Sequence, residues 1–451
     1  MHKRLVVSPL LLLLLVLSAC GAAVPTAGDA AAEAEKAAIS FWYAPSADGE
    51  GATCYQTTVI DPFNEVSDTI FVDAVAQPET WNATRTALAA GEGPDIVRTP
   101  SPSFVVELAQ AGQLLPLDDY VVSEGWDDLF VGWALSLGEV EGTIYSLADE
   151  LETLVLYYNK TLFEQKNWTL PSTVTELYEL AAVIAADDIV PFAHTNAEWR
   201  PANEWHVGEY FNHVAGPDRV YEALTGRIPW THEDFVTAIE LLDEAQQNGW
   251  FSGGLEFYYT LTFDEVRGML GRGEAAMNIE AAWVAADLDT LYFTEENGGM
   301  EWDWVPTPSQ TGDPIYTIGT GNTWSINRNS EHPEAVAEFL SYSFSPESQA
   351  ALLRNCSKAP APVQLTEDAM EGVDPRIAAI FIDLAAASDS GGYGYTTWTF
   401  WPPRSDAYIY EEIERVWSGD ITAKEYLQGL DDLFQEEFAA GAVPPIPERR
   451  E

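Results

Sequence analysis

The sequence predicts an α/β protein of two lobes, and three observations carry that prediction. Strand-like and helix-like patterns alternate along most of the chain, the order that builds a parallel sheet covered by helices. Residues 154–158, Leu-Val-Leu-Tyr-Tyr, form an unbroken apolar run of strand length, as expected where both faces of a sheet are covered. The alternating region is about 410 residues long, enough for two or three ordinary domains, and no single apolar block dominates it.

In chain order, residues 39–43 read as the first strand, followed by a glycine-bearing loop to 51 and the end of a helix over 57–65. A strand over 70–76, a helix over 81–90 stopped by Gly91, a short strand over 94–97 and a helix over 103–111 stopped by Gly112 continue the alternation. After the apolar strand at 154–158, a helix runs to 186. Thr173 and Glu176 have capping-box spacing at its start, so two orphan backbone donors find partners there. Residues 231–248 form an amphipathic helix with Phe235, Ile239 and Leu242 on one face, ended by Gly249. A short helix over 263–270 and a buried strand over 275–279 follow, then helices over 333–342, 346–353, 407–417 and 422–440. Pro346 behind Ser345 is a first-turn proline behind a cap.

The amino terminus sets the compartment. His2, Lys3 and Arg4 precede an apolar run over 10–17, too short to cross a bilayer and so a secretory signal peptide over 1–19. Leu17-Ser18-Ala19-Cys20-Gly21 resembles a bacterial lipobox, which implies that Cys20 is lipidated and anchors the chain to the membrane surface. Residues 20–38 read as a flexible, lipid-anchored tether. The formal charge is −51, and −53 once Lys3 and Arg4 leave with the signal peptide. Such acidity repels phosphate, so nucleic acid is excluded as a partner and anionic ligands are disfavoured. Neutral ligands are nearly indifferent to it. Cys54 and Cys356 remain as an even pair that can form a disulfide outside the cytoplasm.

Four stretches resemble the family 1 bacterial extracellular solute-binding proteins, the group that includes maltodextrin-binding proteins. They are residues 87–97 with 109–117 (Ala-Gly-Glu-Gly-Pro-Asp-Ile-Val, then Gly-Gln-Leu-Leu-Pro-Leu), 142–147 with 156–163, 272–283, and 319–326 with 332–347. They fall in family order across nearly the whole mature chain, although Ala148 stands where the family usually has proline. The resemblance implies two Rossmann-like lobes with a hinged inter-lobe cleft, the periplasmic-binding-protein-like type II fold. On that pattern residues 39–148 and 307–345 form lobe 1, and 149–306 and 346–446 form lobe 2. It further implies the substrate-binding component of an ABC importer, a monomer that captures a mono- or oligosaccharide and hands it to permease subunits. The expected location is extracytoplasmic, at the cell surface or in a periplasm.

A sugar site needs aromatic rings for the apolar sugar faces and planar polar groups for the hydroxyls. Ligand crevices of α/β sheets open at the carboxyl ends of the strands. That rule places the loops after Tyr43, after Val97 and after Ile279 at the cleft, which nominates Trp42, Tyr43, Asp48 and Arg98; the resemblance implies that Glu150 and Glu152 sit at the first crossing, and Asn322 lies in a tight glycine loop. Trp283, Trp398, Trp401 and Arg404 follow later elements, and Trp199 lies in a polar loop. The resemblance adds weight to Glu152, Trp283 and Trp401, which fall at or near sugar-contacting positions of relatives. Each has a plainer reading: Trp42 packs in the core, Trp199 covers a surface, and one of Glu150 and Glu152 is a solvated edge charge.

No GxSxG, HExxH or GxxxxGK[ST] motif is present, which argues against an enzyme. Two carboxylates on one strand do not face each other across a glycosidic bond as a glycosidase requires. No cofactor or metal is expected. His206 and His213 stand seven residues apart, two helical turns, too far to share an ion readily. The competing readings are a binding protein for a polyol or a cationic amine, a sensor subunit, and a secreted carbohydrate-active enzyme.

Overall fold

A computed structural model describes residues 36–43, 54–77, 80–356, 358–365 and 369–447. Residues 36–447 belong to one compact unit. The signal peptide, Cys20, most of the tether and Asp48 lie outside the described residues. Among those described, no helix is long and apolar enough to cross a membrane.

The chain begins with β1 (Ala37–Tyr43), β2 (Ile70–Ala76) and β3 (Ile96–Thr99), then a hairpin of β4 (Glu139–Val140) and β5 (Thr143–Ile144), then β6 (Leu147–Ala148). It continues with β7 (Leu154–Asn159), β8 (Val190–Phe192), β9 (Ala275–Ala281) and β10 (Trp302–Val305). The last strands are β11 (Tyr316–Ile318), β12 (Thr323–Ile326) and β13 (Tyr393–Tyr395). Two main sheets result. The first has the order β2-β1-β3-β12-β6 and the second β10-β7-β9-β8. Every residue of β7 and of β9 is buried, which explains their near-continuous apolar character.

Neither sheet is wholly parallel. β1 pairs in parallel with β2 and β3, but β12 runs antiparallel to both β3 and β6. In the second sheet β7 is antiparallel to β9 and β10, and only β8 is parallel to β9. The reason is topological: β12 enters the first sheet on the return from the second, so it arrives with reversed direction.

Local rules fix the helices around these sheets. The capping box of Thr173 and Glu176 is formed at the start of Val174–Ala186, with both reciprocal hydrogen bonds present. Thr262–Glu265 and Thr422–Glu425 repeat it. Gly249, in the left-handed region at φ 69°, ends Glu233–Gln247. The helix expected from residue 407 begins four residues earlier, at Pro403. Its first amides are capped from afar: Glu437 accepts from the backbone of Arg404 (2.9 Å) and Ser405 (2.8 Å) and from the Ser405 hydroxyl (2.7 Å).

A disulfide joins Cys54 to Cys356 with the two Cα atoms 5.6 Å apart. Helix Pro346–Cys356 packs on the turn at Gln56–Ile60, and helix Pro333–Ser343 packs on β1 and β12. Both therefore accompany the first sheet. Helix Pro375–Ser390 instead packs on β11 and β13.

Candidate functional site

Three stretches of backbone pass side by side between the two sheets and are hydrogen-bonded to one another. Asp149 N–H donates to Asn322 O (2.9 Å), Glu152 N–H to Gly319 O (2.9 Å), and Leu151 N–H to Pro360 O (2.6 Å). Beside this strip lies a cavity of about 680 Å³, within the range of small-ligand sites. All three stretches contribute to its wall, through Glu150 and Glu152, Gly321, and Lys358 with Ala359.

The strip is electrostatically organised. Lys358 Nζ lies 3.3 Å from Asp149 Oδ1 and 3.2 Å from Glu150 Oε1. Arg98 stands behind, 3.5 Å from Asp149 Oδ2 and 3.7 Å from Glu150 Oε1. Asn322 Nδ2 donates to Glu150 Oε2 at 3.0 Å. Burial alone would raise the Glu150 carboxyl, but Lys358 and Arg98 overcome it and hold the group below its ordinary range. Glu150 is therefore an ionised acceptor fixed in place. Glu152 behaves oppositely. Burial first, and then the neighbouring Glu150 charge, push its carboxyl well above the ordinary range, although Trp398 pulls the other way. Trp398 Nε1–H donates to Glu152 Oε2 at 2.6 Å. Gly321 makes room for this arrangement, because a Cβ there would sit 2.5 Å from Glu152 Oε1.

The opposite walls are aromatic. Trp283 follows β9, and its ring lies edge-on to Trp205 with centroids 5.9 Å apart. Trp199 continues the row, 5.5 Å from Trp205, and is 47% exposed at the rim. Trp398 and Trp401 belong to the short helix Thr397–Phe400 and its end, and Tyr410 lies in the next helix. Pro100, Ser101, Ser103 and Phe104, where β3 turns into helix Pro102–Gln110, supply wall from the first sheet.

The cavity thus brings together Glu150, Glu152, Trp199, Trp283, Trp398 and Trp401 of the nominated residues. Trp401 is mainly a core residue, 1% exposed and packed on Trp230 at 5.0 Å. Arg98 and Asn322 are outside the lining and act by holding Glu150. Trp42 and Tyr43 also lie outside it; Trp42 is half-buried and Tyr43 packs on Phe41 at 6.2 Å. Arg404 points elsewhere. Placed in the first turn of its helix, it is exposed and pairs with Glu436 at 3.3 Å.

Sequence reasoning missed Glu204, Asp406, Tyr410 and Lys358, while Trp205 stands in the sequence beside Trp199 as a second stacking candidate. Glu204 is 2% exposed in helix Ala202–Tyr210, which is buried on every side and so shows no amphipathic stripe. Charged residues inside an aromatic run (Glu204-Trp205, Glu209-Tyr210-Phe211) were the available signal, since a buried charge needs a reason. The histidines do not converge on one point. His194 and His206 are ring neighbours at 4.1 Å, whereas His213 Nδ1 is 2.9 Å from Glu209 O and its Nε2 3.2 Å from Ile315 O.

A model of the family "Bacterial extracellular solute-binding protein" matches residues 59–350, more than half of the chain, and the chain belongs to that family. Among curated relatives, the osmoprotective compounds-binding protein GgtB of Synechocystis sp. is 23% identical over 165 residues, 35% of this chain and 39% of its own length. The maltotriose-binding protein of Pyrococcus abyssi is 33% identical over 107 residues, 23% of this chain and 22% of its own length. The chain thus spans well under two thirds of these relatives. Among solved structures, a chitin oligosaccharide binding protein superimposes with a TM-score of 0.73 at 19% identity, covering 90% of this chain and 99% of that one. The fold is therefore the two-lobed type of the periplasmic sugar-binding proteins.

Proposed function

We propose that this chain is the extracytoplasmic substrate-binding component of an ABC importer, capturing a mono- or oligosaccharide in the cleft between its lobes. The observation that carries the reading is the cavity itself, whose lining combines tryptophans with Glu150, Glu152 and Lys358. Indole faces recover the apolar area of sugar rings. Ionised Glu150 and the Lys358 ammonium replace the water of hydroxyl groups. Glu150 is held in ion pairs and Glu152 is bound to Trp398, so neither of these two stands free as an acid or a nucleophile. The role is binding, with no bond broken.

Closure of two lobes about the strip supplies the mechanism, because a ligand touching both walls favours the closed form. We place the crossings at 149–152, 319–322 and 358–365, since Pro346–Cys356 packs with the first sheet and β11 with the second. Lobe 1 then runs to residue 148 and resumes between the later crossings. A lipidated Cys20 would hold the monomeric chain at the membrane beside its permease. One relative is a binder of osmoprotective compounds, so a small neutral osmolyte such as a polyol stands as the second reading.

A thermal-shift screen of the mature chain against oligosaccharides, monosaccharides, polyols and amines tests this. Stabilisation that grows with sugar concentration is the expected result. Stabilisation by amines alone would replace the reading, as would turnover of a glycoside.

A further inference from the structure

Besides Glu150 and Glu152, the cavity wall holds a second pair of acids, Glu204 and Asp406. Glu204 comes from helix Ala202–Tyr210 and Asp406 from the first turn of Pro403–Trp417, two helices packed on each other. Thr397 Oγ1–H donates to Glu204 Oε2 at 2.7 Å, which fixes that side chain. Asp406 Oδ1 is buried, and among the described residues no ordinary donor reaches it. Glu204 is within reach of Asp406, so a protonated Glu204 can supply the missing donor. The surroundings demand it, because the other groups facing the pair are also acids or neutral. Glu152 acts on Glu204 from the crossing strip, and Glu437 acts on Asp406 from the last helix. Tyr410 lies one turn along. The nearby cations are committed elsewhere: Arg200 is bound to Glu414 at 2.7 Å, and Arg404 to Glu436 at 3.3 Å. Adjacent buried carboxyls without a cation cannot both ionise.

We propose that Asp406 is a ligand-contacting acceptor and Glu204 its positioning residue, which keeps its proton and donates a hydrogen bond to Asp406. The pair then presents one anionic acceptor to the cavity in a corner crowded with acids, and selects a ligand that offers a hydroxyl there. The inference rests on the solute-binding reading of the cleft. Burial first, and then the Asp406 charge, hold the Glu204 carboxyl well above its ordinary range. Burial raises Asp406 to about 6, even though the Glu204 hydrogen bond lowers it. As pH falls through about 6, Asp406 gains a proton, the acceptor is lost and affinity drops. As pH rises through the Glu204 value, two adjacent charges and no donor remain, and affinity drops again.

The experiment is calorimetric titration of the mature chain with the best sugar from the screen, from about pH 5 to 9, with melting temperatures as a folding control. Wild type should show an acid limb as pH falls through about 6, and any alkaline limb should depend on Glu204. Asp406→Asn should weaken binding about tenfold or more near pH 7.5 and abolish the acid limb. Glu204→Gln keeps shape and donor, so it should bind within about threefold of wild type and lose the alkaline limb. Glu204→Ala, lacking the donor, should bind weakly at every pH. An Asp406→Asn variant of unchanged affinity overturns the proposal. So does an alkaline limb that survives Glu204→Gln, since it would belong to Glu152. Sugar binding that ignores both substitutions sinks this assignment while leaving the importer role standing, whereas a wild-type chain that binds no sugar removes both.

Discussion

Replacing Gly321 with alanine adds a single methyl group at the centre of the site. Gly321 does not have the positive φ that only glycine tolerates, so alanine accepts the backbone without strain. The new Cβ would, however, lie 2.5 Å from Glu152 Oε1 and 3.2 Å from its Cδ. The end of a glutamate side chain can swing away, so folding should survive almost unchanged. Binding should not. Glu152 moves off Trp398, the 2.6 Å hydrogen bond breaks, and a partly buried indole N–H loses its acceptor. Such a loss costs about 1–3 kcal/mol. At 1.4 kcal/mol per tenfold, affinity for the sugar should fall roughly 5- to 150-fold. Titration calorimetry with a parallel thermal melt reads both quantities. A Gly321→Ala chain that binds as tightly as wild type would refute the idea that the Glu152–Trp398 contact shapes the ligand site.

Other consequences can be checked together. Trp283→Ala should weaken sugar binding with little loss of stability, because Trp283 is only partly buried, whereas Trp401→Ala removes a fully buried ring and should cost about 3–5 kcal/mol in a denaturant melt. Reducing the Cys54–Cys356 disulfide should lower stability by about 2–4 kcal/mol and leave sugar affinity unchanged, since both cysteines lie with the first sheet; altered affinity on reduction would move a crossing point. Burial holds the His194 ring at about 3. Its folded form is therefore neutral where the unfolded chain takes up a proton. Stability should fall as pH drops below about 6.5, by at most about 1.4 kcal/mol per unit. His194→Gln should flatten that dependence in urea melts at successive pH values.

What could be read in advance was whatever is written locally. Helix ends at Thr173 and Gly249 follow from capping and backbone preference, and the buried strands β7 and β9 from unbroken apolar runs. Glu150, Glu152 and Trp283 were legible because they follow or bridge such strands. Arg98 is legible as a charge at a strand end, but its partners, Asp149 and Glu150, lie some fifty residues away and turn it into a brace for Glu150. Trp42 lies outside the cavity lining for a different reason: alternation along a strand does not say which face meets the cleft. Arg404 lies outside the lining because its helix starts earlier than its pattern shows, placing it in an exposed first turn. Glu204, Asp406 and Lys358 reach the cavity only through packing between distant elements, which no local pattern encodes.

The same distinction explains the layout of the site. The segments that cross between the sheets are held together by backbone hydrogen bonds and carry Glu150 and Glu152, while the aromatic wall is borne by other elements of the chain. A ligand that bridges the two is bound where the lobes would pivot, so small shifts at Gly321 or Lys358 should alter binding more than folding.

A crystal structure of the chain with the sugar that stabilises it most would test the central claim directly. The account predicts a sugar ring lying against the Trp283 and Trp398 indoles, with hydroxyls within hydrogen-bond distance of Glu150 and Lys358. A ligand seated elsewhere, or held in this cavity without contact to those rings, would contradict it.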